Sequence, residues 1–484
     1  MPDFRPVLFV LGILLLALAG LMLLPAALDL LQADRDWQAF VYAAIITATV
    51  GGSLLFGFRV PGTPAFSPRE GFLLTTLGWI VLSGFAALPF MLAPTTKLSF
   101  AAAFFECMSG LTTTGASVLS GLDSMPHGLL LWRALLHLVG GIGIIVMAVA
   151  VLPVLRVGGM QLFRMESSDK SEKLRPRVSQ VSAVLISVYF SLTAICAIAL
   201  ILAGMRPFDA VTHAMAAIST GGFSTHDASV GYFQSPAVEW VLAFFMLVGG
   251  ATFTLLARAA QGDPRALWRD TQTRCYLGYL AVYIVAISLW QVLVNSRDWV
   301  SALRSTTFNV VSVASTTGFA SEDFLAWGTF PIVMIAVLYF IGGCTGSTAG
   351  GIKVFRFCIL GVAARWQIRH LVHPHRVQPP VYNGVAIEEE VVQSVLSFFV
   401  FYIGSYALLS IGVAAFGLEP LTALSAVAQA LGNVGPGLTP DIGPVGNYGG
   451  LPSGALWLLS FAMLLGRLEL LTVIVLFSRT FWRG

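Results

Sequence analysis

The stretch "GLTTTGAS" at residues 110–117 lies between two strongly apolar segments. Glycine and β-branched threonine both lower helix propensity, so the stretch makes a poor membrane helix. A loop exposed to water has no need of such apolar flanks. The chain as a whole explains the flanks: 57% of its 484 residues are hydrophobic and 11% are charged, against about 25% charged in a soluble domain. Mean hydropathy is +0.83. The protein is therefore an all-α polytopic membrane protein, and no nucleic-acid partner is expected.

Membrane helices need about 20 apolar residues each. Ten spans are expected, at about 6–28, 38–58, 71–93, 128–153, 180–204, 236–258, 275–295, 328–362, 391–416 and 454–478. The first is read as a retained span and not a signal peptide, because its apolar core is long and another apolar segment follows soon after. Twenty Lys and Arg residues fall on one side of these spans, among them Arg156, Arg164, Lys170, Lys173, Arg175, Arg177 and Arg376. Six fall on the other: Arg35, Lys97, Arg133, Arg206, Arg297 and Arg304. The positive-inside rule puts both termini in the cytoplasm. The remaining one, Arg467, falls inside the last span. The five cysteines show no metal-type pairing, and His370, His373 and His375 read as part of a solvated connection.

The opening stretch recurs. "AFFECMSGLTTTGAS" (103–117), "AVTHAMAAISTGGFS" (210–224), "STTFNVVSVASTTGF" (305–319) and "ALSAVAQALGNVGPG" (423–437) align. Each is a short helix-like run that ends in a polar tripeptide closed by glycine. The tripeptides are Thr113-Thr114-Gly115, Thr220-Gly221-Gly222, Thr316-Thr317-Gly318 and Asn433-Val434-Gly435, with closing glycines 107, 96 and 117 residues apart. A second landmark follows at 26, 28, 25 and 32 residues from each glycine, in the pairs Gly140-Gly141, Gly249-Gly250, Gly342-Gly343 and Gly466-Arg467. One copy is ordinary small-residue helix packing; four registered copies are an internal repeat. The expected plan is two extra N-terminal helices (1–60) and four units at 61–165, 166–265, 266–378 and 379–484. Each unit reads helix, re-entrant pore helix, loop, helix.

Non-helical backbone at membrane depth survives only where it is buried in protein or lines water. Four such loops around a pseudo-fourfold axis can present rings of backbone carbonyls to a dehydrated cation. Each short helix would aim the negative end of its dipole at the axis. Asp123, Asp227, Glu322, Asp323 and Asp441 near the outer mouth would gather cations by their field.

These residues carry a family resemblance. "GLTTTGA", "GGFSTHDASVGYF", "FIGGCTGSTAGGIKV", "RHLVHP", "GNVGPGL" and "GRLE" resemble the membrane subunit of bacterial Trk potassium-uptake systems, the TrkH/TrkG type of the Trk/Ktr/HKT superfamily. The resemblance spans essentially the whole chain. It implies a potassium-preferring filter on the twelve tripeptide residues, no other metal and no cofactor in this chain. It further implies a homodimer in the bacterial inner membrane and a cytosolic ring of TrkA-type subunits that bind NAD(H) or ATP/ADP. Glycine closes all four tripeptides, which leans toward potassium over sodium.

The eighth span is interrupted by "GGCTGSTAGG" at 342–351. Each glycine costs about 1 kcal/mol in a helix relative to alanine. The expected gate is this loop, carrying Gly342, Gly343, Thr345, Gly346, Ser347, Thr348, Gly350 and Gly351, with Lys353 just beyond it. Arg467 stands where the other repeats have glycine, below the tripeptides, and is expected to complete the constriction. Glu469, two residues on, faces elsewhere on a helix and is not its expected partner. "GSTAGGIK" (346–353) only approximates a phosphate loop, and no catalytic acid pair or zinc motif lies in the spans, so no enzyme is expected. The rival to a channel-like pore is a potassium symporter coupled to protons or sodium. Its inverted repeats contrast with the parallel units here.

Overall fold

The computed structural model describes residues 3–59, 66–147, 178–375 and 379–483. The end of the fourth expected span, the basic connection 156–177 and Arg376 lie outside them. Among the described residues, seven helices are long and apolar enough to cross a membrane: Phe4–Leu31, Trp37–Gly57, Pro68–Leu92, His127–Val146, Gln180–Leu202, Thr271–Leu293 and Glu389–Ala414.

The three remaining expected spans are not straight rods. Pro236–Gly249 and Phe253–Ala260 meet at 106°, and Ser453–Arg467 and Leu471–Phe477 at 109°. At the second break Glu469 and Leu470 both have positive φ, +61° and +44°, a conformation that disfavours L side chains. The span expected at 328–362 is divided into Thr329–Leu338 and Val354–Val372. The intervening backbone leaves and returns at one place. Ile341 bridges Ile352, Gly342 N donates to Ile352 O, and Val354 N donates to Gly343 O. The segment is thus an Ω-shaped loop with joined ends.

Four shorter helices lie inside the bundle: Phe100–Leu111, Pro207–Ile218, Trp299–Ala314 and Pro420–Gly432. Local sequence sets their starts. Ser99 and Asp298 side chains accept from the first-turn amides Ala102 N, Val300 N and Ser301 N. Pro207 and Pro420 supply the fixed φ that suits a first helical position. Each lies between a leading and a trailing helix, which completes four repeats behind two N-terminal spans. Those two spans pack closely because Gly12 and Gly51 face one another; a Cβ on Gly12 would stand 2.8 Å from Gly51 O. Asp29 fastens the pair to repeat one, its buried carboxylate accepting from Gly128 N at 2.6 Å in the first turn of the trailing helix.

Candidate ion pathway

The four short helices end alike. Thr113 N, Thr220 N, Thr316 N and Asn433 N donate three residues back, to Gly110 O, Ala217 O, Val313 O and Ala430 O. Thr114 N, Gly221 N, Thr317 N and Val434 N donate five residues back, to Ser109 O, Ala216 O, Ser312 O and Gln429 O. These two bonds make the Schellman cap, which requires a left-handed residue just past the helix. That residue opens each tripeptide, with φ of +48°, +54°, +59° and +53° in chain order. Three of the four are threonine, for which a left-handed φ costs roughly 1–2 kcal/mol. Strain of this kind persists only where the surroundings impose it.

The closing glycines are also at positive φ, +85°, +79°, +84° and +108°, and their neighbours give the arrangement of the site. A Cβ on Gly115 would collide with Gly221 O, one on Gly222 with Thr317 O, and one on Gly318 with Val434 O. A Cβ on Gly435 would stand 2.8 Å from Thr114 O. Repeat one therefore touches two, two touches three, three touches four, and four returns to one. All four glycines line a single outer cavity of about 80 Å³. All twelve tripeptide residues are gathered in this ring.

A shell of buried polar side chains holds the ring. Glu106 accepts from Val118 N at 2.8 Å and pairs with Arg133 at 2.9 Å. Arg133 in turn donates to Ser224 O at 2.7 Å, so it joins repeats one and two. Nε2 of His213 bonds Ser224 Oγ at 3.0 Å, and Asn309 Nδ2 donates to Ser321 Oγ at 2.9 Å. Glu106, His213 and Asn309 each precede their closing glycine by nine residues, a register visible in the sequence once the repeats are aligned. Repeat four has Ala426 there and uses Gln429, which accepts from Gly435 N at 3.2 Å. His137 sits directly behind repeat two's tripeptide. Its Nδ1 bonds Gly110 O at 2.8 Å and its Nε2 accepts from Phe223 N at 3.1 Å. Asn433 Nδ2 crosses to Thr114 Oγ1 at 3.0 Å.

The acidic residues expected to gather cations are largely engaged. Asp227 accepts from Gly121 N and Leu122 N, and Asp123 pairs with His226 at 2.5 Å. Glu322 pairs with Arg297 at 2.6 Å, and Asp323 caps Leu325 N. Asp441 stays exposed. Their main visible role is to tie the outer loops together.

Below the ring the 342–351 loop is seated among three repeats. Thr348 Oγ1 donates to Ile218 O (2.9 Å) and Gly249 O (3.0 Å). Gly350 N donates to Thr316 Oγ1 at 2.6 Å. Arg467 Nη2 donates to Thr348 O at 2.6 Å, and Lys353 Nζ bonds Ala349 O. The cavity bounded by Gly346, Ser347, Gly350, Lys353 and Arg467 holds only about 20 Å³, about one water molecule. Arg467 is buried and has no carboxylate within ion-pair distance among the described residues. Glu469 pairs instead with Arg356 at 2.5 Å; it is not Arg467's partner, and it lies at the break beyond the helix that ends at Arg467. Three of the paired landmarks pack alike: Gly140, Gly249 and Gly466 press on the ends of their own short helices, at Leu111 O, Ala217 O and Leu431 O. Gly342 presses on Gly350 instead, because its helix has already broken.

Two leading spans, four parallel helix–short helix–loop–helix units and a closed ring of loops define a membrane transport protein built from a single fourfold-repeated chain. The profile of a family described as "TrkH: Cation transport protein" matches residues 36–483. The chain belongs to this family. It is 43% identical over 481 residues to the Trk system potassium uptake protein TrkI of Halomonas elongata, covering 99% of this chain and 97% of that one. It is 34% identical to the Trk system potassium uptake protein TrkG of Escherichia coli, with 96% and 95% covered. The crystal structure of the potassium transporter TrkH from Vibrio parahaemolyticus matches with a TM-score of 0.91 at 38% identity, over 99% of this chain and 100% of that one.

Proposed function

We propose that this chain is the potassium-conducting subunit of a bacterial potassium-uptake system, with a channel-like pore. The carrying observation is the cyclic contact of the four closing glycines with the next repeat's carbonyls. In this reading the carbonyls of Thr113, Thr114, Thr220, Gly221, Thr316, Thr317, Asn433 and Val434 replace the ion's hydration shell. Gly115, Gly222, Gly318 and Gly435 permit the backbone that aims them. The 342–351 loop, with Lys353 and Arg467, is the gate. Two cationic side chains and a cavity of about 20 Å³ below the ring oppose passage of a cation, so the arrangement described is the closed one.

The termini face the cytoplasm of the inner membrane, on the side with twenty of the 27 basic residues. The relatives are named as proteins of Trk potassium-uptake systems, and in this reading a homodimer of this chain is opened by a cytosolic TrkA-type ring that binds NAD(H) or ATP/ADP. The test is flux into liposomes holding the purified chain under potassium, rubidium and sodium gradients. Potassium and rubidium flux that dissipates its own gradient, with little sodium flux, is expected. Potassium accumulation that requires a sodium or proton gradient overturns the pore in favour of a coupled symporter.

A further inference from the structure

A further cavity, of about 590 Å³, lies beside the segment Phe253–Ala260. Its walls are the 106° bend of repeat two's trailing helix, the connection to repeat three, and the hairpin that pairs Val381–Tyr382 with Val385–Ala386. It is lined by Arg258, Arg269 and Arg274, against Asp263 and Asp270. Asp270 is already engaged, accepting from Thr273 N at 2.7 Å and from Asn383 Nδ2 at 3.0 Å. The guanidinium groups are not. Arg258 and Arg269 have no ion pair or side-chain hydrogen bond among the described residues, and Arg274 has one long bond, 3.3 Å, to Thr271 Oγ1. Three guanidinium forks around one cavity suit the oxygens of a phosphate.

The floor of the same cavity holds the gate loop. Thr252 and Gln272 line the cavity and are each 2% exposed. Gln272 Oε1 accepts from Thr345 N at 2.7 Å, and Thr252 Oγ1 donates to Thr345 O at 3.0 Å. Gln272 Nε2 reaches Thr252 Oγ1 at 3.4 Å, and Phe253 N donates to Gly346 O at 3.0 Å. Thr345 is thus bonded on both backbone faces by the two side chains at the cavity floor. Anything that orders residues 252–274 from the cavity side also orders their grip on 345–346.

We propose that this cavity binds a phosphate-bearing anion and that its occupancy holds the 342–351 loop seated. The effect on the loop rests on the gate reading above; binding does not. A phospholipid head group is the favoured source. Phe253–Ala260 runs across the axis of its span, and Trp268, 67% exposed, sits among Arg265, Arg269 and Arg274. Exposed tryptophan beside arginines is the pattern of a helix segment at head-group depth, where each basic side chain attracts anionic lipid. A free cytosolic phosphate offers the same oxygens.

The test titrates the purified full chain in a zwitterionic detergent with dioctanoyl phosphatidylglycerol, dioctanoyl phosphatidylcholine or inorganic pyrophosphate, and follows binding by native mass spectrometry. Phosphatidylglycerol binding that weakens at least about tenfold in Arg258→Gln/Arg269→Gln/Arg274→Gln is expected, the size of one or more lost charge-assisted contacts. Pyrophosphate binding alone, with the same loss, supports the site with a soluble ligand. Equal binding by wild type and triple variant, or by neither, overturns the site. Loss of cytosolic-partner association in the variant with no anion binding overturns it in favour of protein docking. Asp263→Asn, which removes the exposed acid, is expected to tighten binding severalfold; no change in this variant overturns the site even where the triple variant fails to fold. In liposomes, phosphatidylglycerol is expected to lower flux in wild type but not in the triple variant. Binding without that difference overturns the link to the loop and leaves the pore reading standing.

Discussion

At the scale of single residues, the ring depends on side chains packed behind it. His137 is fully buried, and its two ring nitrogens join Gly110 O of repeat one to Phe223 N of repeat two. Those partners fix the neutral tautomer with the proton on Nδ1, since a carbonyl accepts and an amide N–H donates. Gly221 lies against the imidazole; a Cβ there would meet His137 Nδ1 at 2.6 Å. His137→Leu keeps bulk but strands the Phe223 amide, at a cost of about 1–3 kcal/mol. The tripeptide Thr220-Gly221-Gly222 then loses its backing. The expected outcome is a lower melting temperature and a higher sodium-to-rubidium flux ratio. A variant less stable but unchanged in that ratio would show that His137 supports the fold and not the ring. The sequence gives no sign of what this histidine holds, because its partners lie 27 and 86 residues away.

At the scale of elements, the 342–351 loop, the proposed gate, is a body with separate points of attachment. Thr348 fixes it to repeat two through Ile218 O and Gly249 O, while Arg467 of repeat four fixes Thr348 O. Thr348→Val removes one hydroxyl donor, shared between those two carbonyls, at nearly constant volume, at a cost of about 0.5–1.5 kcal/mol. Arg467→Ala removes one hydrogen bond and a buried charge below the ring. Each change is expected to raise potassium flux through the purified chain, Thr348→Val by about twofold to tenfold on that range. Arg467→Ala flux no higher than wild type would remove the charge barrier. Because both side chains hold the same residue, their effects should not add: the double variant is expected to fall short of the product of the two increases, as coupled sites do. Strict additivity would mean that the loop and the arginine obstruct independently. Glycine content betrayed the break at 342–351, and the substitution of Arg467 for glycine betrayed the charge. The bends after Gly249 and Arg467 were not legible. The hydropathy that marks a span is blind to direction, and Glu469 and Leu470 are not residues that announce a left-handed turn.

At the scale of the whole molecule, the repeat was legible because it is written twice, in the tripeptides and again in the paired small residues. The contacts that close the ring were not, since they join residues more than 90 positions apart. The nine-residue offset that places Glu106, His213 and Asn309 was present in the alignment but carries three different residue types. It becomes a pattern only when each is seen bonding back to its outgoing strand. The same distinction governs the outer mouth. Of the acidic residues read as a cation-gathering field, Asp123, Asp227 and Glu322 also cross-link loop segments, and a cross-link has a different pH signature from a field.

Glu322 makes that signature measurable. Burial pushes its carboxyl up, but the Arg297 hydrogen bond and charge, with Ser305 and Trp327, together hold it below its ordinary 4.5. A carboxyl whose folded value is depressed contributes stability above its unfolded value and loses it as pH falls through the folded one. The outer loop of repeat three should therefore be unaffected between pH 8 and 6 and weaken only below about pH 4.5. Glu322→Gln removes the titration. Its melting temperature is expected to lie below wild type at pH 7 and to converge on it as the wild-type carboxyl protonates. Retention of the full difference at pH 3.5 would mean that the pair acts through shape and not charge. Arg297 and Glu322 are 36% and 27% exposed, so the effect is also expected to shrink at high salt, where screening weakens surface pairs. A change in potassium flux over the same pH range without a change in melting temperature would instead return Glu322 to the cation-gathering role first read from the sequence.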